Sequence, residues 1–316
     1  MTRLFTFIGI TTGQSSIMQI FPRWRDLLGL GADVEIVGRD LPIHAPPEQY
    51  RRVVEALRDD PSTIGGLVTT HKIDLYHAAK DLFDEVDEYA ELLDEVSCMA
   101  RRDGWLRAWA TDSIAAGRTM DESLGAGYFG RTGAHTLCFG AGGAARAIIL
   151  HLLTRAMAMD RPARIIVTDP SARRLESLRA LQRRLLPDAS AEYVESGDPA
   201  ANDTLLTHLP PGSLVINATG MGKDTPGSPL SDAACFPERG IAWELNYRGE
   251  LTFLHQAESQ PASGNVRVQD GWRYFIFGWT AVMEKVFART ISPEELRGLT
   301  QAAAFARPPG TASGTR

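Results

Sequence analysis

A short apolar stretch, His135 to Phe139, runs directly into Gly140-Ala-Gly-Gly-Ala-Ala145, and a helix-forming segment, Ala144 to Met157, follows at once. Strand, glycine turn and helix in that order restrict the fold more than any other feature of the chain. Gly140 suits a tight turn, and Gly142 lets the backbone approach a pyrophosphate. The small Ala145 allows close helix–strand packing, so that the phosphate charge rests on the helix N-terminus. Gly140, Ala141, Gly142, Gly143, Ala144 and Ala145 are therefore expected to hold a dinucleotide. The next strand, Arg164 to Thr168, leads to Asp169. A carboxylate there accepts hydrogen bonds from ribose hydroxyls and repels a 2′-phosphate. Pro170 follows and supplies no cation, so NAD is expected over NADP. Arg173 and Arg174 are the side chains that could fold back and permit NADP. Gly220-Met-Gly-Lys223 is not a Walker loop, because Asp224 follows the lysine and Asn217 stands where a glycine is required. A strand over Ser213 to Asn217 running into Ala218, Thr219, Gly220 and Met221 suits a loop beside a nicotinamide.

The first 70 residues alternate in the same way. Strands are predicted over Leu4–Thr11, Ala32–Val37 and Ile64–Thr69, with helices over Ser16–Leu30 and Pro47–Leu57. That is a βαβαβ pattern, which favours parallel strands with helices on the faces. His71–Val96 reads as one or two acidic helices with Asp81–Asp94 as a solvated face. Cys98–Trp109, folding back at Asp103-Gly104, reads as a hairpin. Further on, helices are expected over Ser171–Leu186 and Gly271–Arg289, with a shorter one from Ser292, and a strand over Ile241–Leu245.

The 316 residues are about twice a typical domain. Thirty-three basic against thirty-nine acidic residues leave a net charge of −6, which argues against a sequence-independent hold on nucleic acid or an anionic membrane. No apolar run approaches the roughly 20 residues needed to span a bilayer, and the N-terminus lacks a signal-peptide pattern. A cytoplasmic location is expected. Cys98, Cys138 and Cys235 are scattered, so neither a disulfide framework nor a cysteine-rich metal site is expected.

Several segments together resemble the shikimate/quinate dehydrogenase family, over roughly residues 5 to 290. They are Gly140 to Arg146, Val215-Ile-Asn-Ala-Thr219, and Glu244-Leu-Asn-Tyr247 followed by Thr252 and Leu254. Gly66-Leu-Val-Thr-Thr-His-Lys72 stands where that family has Asn-Val-Thr-x-Pro-x-Lys, and Ala110-Thr-Asp112 stands for Asn-Thr-Asp. The resemblance implies an N-terminal α/β substrate domain (1–117, completed by C-terminal helices within 260–300) and a doubly wound Rossmann-type NAD-binding domain (118–259). It places the active site in the cleft between them. The last stretch, Arg307–Arg316, is rich in Pro, Gly, Ser and Thr, and residues 301–316 are expected to form a disordered tail. The resemblance also implies a catalytic pair, Lys72 and Asp112. The chemistry agrees: oxidising a secondary alcohol requires removal of its hydroxyl proton, which a lysine oriented by a carboxylate can relay. His71 reads as an ordinary helix-start residue.

The departures are as informative. The family's Ser-x-Ser carboxylate-binding pair falls on Gly13 and Ser15, and the next positions of that motif on Ser16, Gln19 and Ile20. Val68 replaces a threonine, Ser97 and Ala110 replace asparagines, and Gly278 replaces a substrate-contacting glutamine, while Tyr247 is retained. Ser15, Gly13, Ser97, Tyr247 and Gly278 are thus the expected substrate-facing positions, with much of the polar shell removed. Trp105, Trp109, Trp272, Tyr274 and Phe275 hint at a bulkier apolar pocket, although such spacings also build cores. The resulting expectation is an NAD-dependent oxidoreductase of a small cyclic hydroxy-acid or polyol other than shikimate, without metal, as monomer or homodimer. The alternatives are a genuine quinate/shikimate dehydrogenase with rearranged contacts and a cofactor-binding sensor without turnover.

Overall fold

A computed structural model describes residues 2–155 and 157–308. The chain divides into two α/β units, one of Ala115–Phe275 and one of the preceding residues up to Ile114 together with Ile276–Arg307. In the first unit the order is β1 (Arg3–Gly9), α1 (Ile17–Leu27), β2 (Val34–Asp40), α2 (Pro47–Asp59), β3 (Thr63–Val68), α3 (Lys72–Ala79), β4 (Glu85–Val86), α4 (Glu88–Leu93), β5 (Cys98–Arg102), β6 (Trp105–Trp109) and the start of α5 (Asp112–Leu124). Its six-stranded sheet has the order β2-β1-β3-β5-β6-β4. β2, β1 and β3 run parallel, and the β5–β6 hairpin is added antiparallel to β3. Apolar spacing explains the helices: α1 buries Ile17, Ile20, Phe21 and Trp24, and α2 buries Tyr50, Val54 and Leu57. The fully buried Phe5 ring meets Phe21 at 5.4 Å and Trp279 at 6.0 Å between centroids.

The second unit continues with α6 (Tyr128–Thr132), β7 (Thr136–Phe139), α7 (Gly143–Thr154), β8 (Ile165–Asp169), α8 (Ala172–Leu185), β9 (Ala191–Glu195), α9 (Pro199–Thr207), β10 (Leu214–Asn217), β11 (Ile241–Glu244), α10 (Thr252–Glu258) and β12 (Arg267–Gln269). Its sheet is wholly parallel, in the order β12-β11-β10-β7-β8-β9. That is the doubly wound Rossmann-type arrangement, whose strand order reverses between β7 and β10 and leaves a crevice at their carboxyl ends. Buried Leu137, Phe139, Ile166, Val215 and Phe253 form its core. α11 (Trp272–Val286) and α12 (Pro293–Ala303) complete the chain.

The structure corrects several expectations. Of the one or two helices expected over 71–96 the structure has two, α3 and α4; what was not expected is the 3-10 turn at 80–82 and the short strand β4 between them, after which Asp87 turns its carboxylate onto the Ala90 N–H and starts α4. Residues 260–275 do not complete the first unit, since β12 pairs with β11 inside the second sheet. Residues 301–306 are not a disordered tail. α12 reaches Ala303 and a 3-10 turn reaches Ala306, where the Ser16 hydroxyl donates to the Ala306 carbonyl (3.0 Å) and the Arg23 guanidinium lies 3.8 Å from the Phe305 ring centre. The rest of that expected tail, 309–316, lies outside the described residues.

Candidate active site

In the first unit four backbone segments converge on one end of the sheet. The Val68 N–H donates to the Ser97 carbonyl (2.9 Å), the Ser97 N–H to the Trp109 carbonyl (3.0 Å), and the Val96 N–H to the Lys72 carbonyl (3.2 Å). These bonds join the end of β3, the first residue of α3, the approach to β5 and the end of β6. Lys72 and Asp112, forty residues apart, form an ion pair there, with side chains only 16% and 17% exposed. Burial pulls the Lys72 ammonium pKa down. The neighbouring negative charges of Asp112 and Glu95, with the Asp112 hydrogen bond, outweigh it and raise the value above that of an ordinary lysine. Lys72 is therefore protonated at neutral pH, a donor poised toward an oxygen.

Glu95 was not anticipated. It is fully buried one residue beyond the acidic stretch read as a solvated face, and its charge acts on Lys72. The available signal was its place between Val96 and the apolar Leu92-Leu93 pair. His71 occupies the N-cap position of α3, buried, with Nδ1 3.1 Å from the Tyr50 hydroxyl.

The expected substrate-facing positions in this unit offer few free polar groups. The Ser97 hydroxyl accepts the Thr111 N–H (2.8 Å) and lies 3.1 Å from the Thr111 hydroxyl. Val68 and Ala110 are buried and apolar. A Cβ added at Gly13 or Gly278 would meet nothing within 4 Å. Ser15 is buried. Trp105, by contrast, is 51% exposed at the hairpin beside the Arg107 guanidinium. Trp109 lies near the Lys285 ammonium.

In the second unit the glycine turn takes the form expected of it. Gly140 has φ +96°, and a Cβ there would sit 2.8 Å from the Ala218 carbonyl oxygen, which no larger residue tolerates. Gly142 faces open space within 4 Å, and no side chain caps the first turn of α7, which starts at Gly143. The N–H groups of Gly143, Ala144 and Ala145 are left for a ligand. Buried Ala145 permits the close packing. These residues fit a dinucleotide pyrophosphate. Asp169 is buried at the end of β8. One carboxylate oxygen accepts the Ala141 N–H (2.8 Å) and the other the N–H of Ser171 (2.8 Å), the N-cap residue of α8, so it ties the glycine turn to the start of that helix. The Arg174 guanidinium lies 3.8 Å away. Each oxygen keeps a second lone pair for a ribose hydroxyl.

The 217–221 loop is held from beneath. The Asn217 side-chain carbonyl accepts the Thr219 N–H (3.1 Å) and hydroxyl (2.6 Å), and the Met221 N–H donates to that hydroxyl (3.1 Å). The Asn217 amide donates to Glu244 (2.6 Å), whose other oxygen accepts the Asn246 N–H (2.8 Å) and amide (2.7 Å). Burial pushes the Glu244 carboxyl up to about 7 against these hydrogen bonds. Gly220, at φ +78°, makes the turn after Thr219. Lys223 pairs with the neighbouring Asp224 at 3.0 Å. Tyr247 is half-buried against Phe275 (4.7 Å) and Trp272 (5.6 Å). Among the described residues no group of three or more His, Cys, Asp or Glu could hold a metal ion, and no helix is long and apolar enough to cross a membrane.

No protein-family model matches the chain. A shikimate dehydrogenase (NADP(+)) of Symbiobacterium thermophilum is 29% identical over 215 residues, 67% of each chain, and one of Salinibacter ruber is 29% identical over 266 residues, 83% of this chain and 85% of that one. Among solved structures, quinate dehydrogenase from Corynebacterium glutamicum in complex with NAD superimposes with a TM-score of 0.74 at 19% identity, covering 96% of this chain and 99% of the other. A shikimate dehydrogenase in complex with NADP+ gives 0.72 at 19% identity, covering 97% and 96%. In sequence and in fold the chain is thus similar to shikimate and quinate dehydrogenases, which supports an oxidoreductase of shikimate dehydrogenase-like type.

Proposed function

We propose that the protein is an NAD-dependent oxidoreductase of shikimate dehydrogenase type, interconverting a secondary alcohol of a small cyclic hydroxy-acid or polyol with the ketone, and that shikimate is not its preferred substrate. The observation that carries the reading is the sequestered Lys72–Asp112 pair. A nicotinamide dinucleotide, when bound, supplies the hydride acceptor or donor. In ketone reduction the Lys72 ammonium donates a proton to the carbonyl oxygen; in alcohol oxidation the neutral Lys72 amine takes up the hydroxyl proton. Asp112 holds the Nζ in place and balances its charge in both directions. A pure sensor has no use for this relay.

Three further observations support the finer points. Asp169 places a negative charge where the adenosine ribose is expected, and Pro170 brings no cation, which favours NAD. The named relatives use NADP, so this preference separates the chain from them. The substrate-facing positions Gly13, Val68, Ser97, Ala110 and Gly278 are short, apolar or already hydrogen-bonded, which favours a ligand bulkier and less hydroxylated than shikimate. Steady-state formation of reduced nicotinamide over a panel of cyclic hydroxy-acids and polyols, run with wild type and Lys72→Met, tests the proposal. Turnover that vanishes in the variant is the expected result; binding of NAD with no turnover on any member would support the sensor reading instead.

A further inference from the structure

We propose that the substrate is an uncharged cyclic alcohol, whose ring carries no carboxylate. The inference rests on the dehydrogenase reading above and narrows it from hydroxy-acids and polyols to neutral compounds. The carboxyl ends of three parallel strands meet at one edge of the first unit's sheet, with Gly9 of β1 beside Asp40 of β2 and Ile8 of β1 beside Val68 of β3. The loop 10–16 leaves that edge. A Cβ at Gly9 would lie 2.9 Å from the Thr69 hydroxyl oxygen and 3.2 Å from the Thr12 methyl carbon, so the loop packs against the turn that leads into Lys72. Open α/β sheets bind their ligands beyond the carboxyl ends of such strands.

A bound carboxylate needs a cation or several donors, and this edge has committed its own elsewhere. Buried Thr12 gives both its N–H (2.8 Å) and its hydroxyl (2.5 Å) to one oxygen of Asp40. The Gln14 N–H goes to the Thr11 carbonyl (3.1 Å), the Ser15 N–H to the Thr12 carbonyl (3.0 Å) and the Ser16 hydroxyl to the Ala306 carbonyl (3.0 Å). Gly13 has no side chain to add, and the Ser97 hydroxyl is engaged by Thr111. Lys72 is paired with Asp112. Arg39 precedes Asp40 but lines a groove with Leu4, Val53 and Ala56, and strand alternation sends the two neighbouring side chains to opposite faces.

Charge acts in the same sense. Asp40 and Asp112 bring carboxylates to this edge, and fully buried Glu95 acts on Lys72 alongside Asp112. A carboxylate on the substrate would enter beside groups of its own sign, which costs binding. The hydroxyl of a neutral alcohol meets the same carboxylates as a donor, and each of their oxygens has more than one lone pair to offer.

Shikimate and its primary amide share one ring and nearly one shape, and differ by a single charge. The test compares their kcat/KM for the full chain as wild type, Asp40→Asn, Glu95→Gln and Lys72→Met, with circular dichroism to establish that each is folded. Wild type should prefer the amide at least about ten-fold. Asp40→Asn and Glu95→Gln each keep an oxygen in place and lose only a charge, so each should shift the ratio toward the acid at least about three-fold. Effects common to both compounds, on folding or on Lys72, cancel in that ratio. A wild type that turns over neither compound, or a ratio left unchanged in a folded Asp40→Asn or Glu95→Gln, overturns the inference. Preference for shikimate, with turnover lost in Lys72→Met, overturns this inference alone; turnover that survives Lys72→Met sinks the proton-relay reading and the inference with it.

Discussion

Glu244 gives the protein a pH dependence that can be worked through from its surroundings. The carboxyl is fully buried at the end of β11 and accepts three hydrogen bonds, yet burial wins and its pKa rises from the ordinary 4.5 to about 7. Between those values the folded chain holds a proton that the unfolded chain has released. Stability from this group is thus fully present below the unfolded value and is lost as pH rises through the folded one. From pH 5 to pH 8 the loss amounts to about 2–3 kcal/mol at 1.36 kcal/mol per unit. Glu244→Gln resembles the protonated acid and cannot titrate. Urea unfolding of both proteins across that range should show the wild type losing about 2–3 kcal/mol more than the variant. Taking the difference between the two proteins cancels histidines and every other shared titration. The variant should also bind NAD more weakly, since Glu244 orients Asn217 and Asn217 holds the Thr219 loop. Parallel stability profiles for the two proteins would refute the argument that burial dominates at this site.

Lys72→Met should lower kcat by roughly two to four orders of magnitude while leaving NAD affinity, measured by fluorescence titration, nearly unchanged; the wild-type oxidation rate should climb steadily above pH 8, because Lys72 must give up a proton that Asp112 and Glu95 help it keep. NAD should be preferred over NADP by about 1–3 kcal/mol, the worth of a hydrogen bond to a charged group. Asp169→Asn with Pro170→Arg should narrow or reverse that ratio in paired kcat/KM measurements. Shikimate should be turned over with kcat/KM far below the usual range of about 10⁴–10⁸ M⁻¹s⁻¹. Gly13→Ser, Ser97→Asn and Gly278→Gln together should raise it at the expense of the native substrate; a Cβ at either glycine meets no neighbour.

What could be read from the amino acids depended on how local the physics was. The glycine turn was legible because its constraints act over six residues: a left-handed φ at Gly140, room at Gly142, and a small side chain at Ala145. β12 was not, because three residues of ordinary composition become a strand only when β11 offers them an edge. Trp105 shows the same limit from the other side, since nothing in its neighbours distinguishes a pocket wall from a hairpin tip. Glu95 is the sharpest case. By composition it extends a solvated acidic face, yet the Val96–Lys72 backbone bond draws it into the interior, where its charge helps set the protonation of the lysine that is proposed to relay the proton. Together with Asp112 it outweighs the burial that would otherwise lower the Lys72 pKa, so that the side chain resting at this site is the ammonium, and a base is available there only once that proton has been lost.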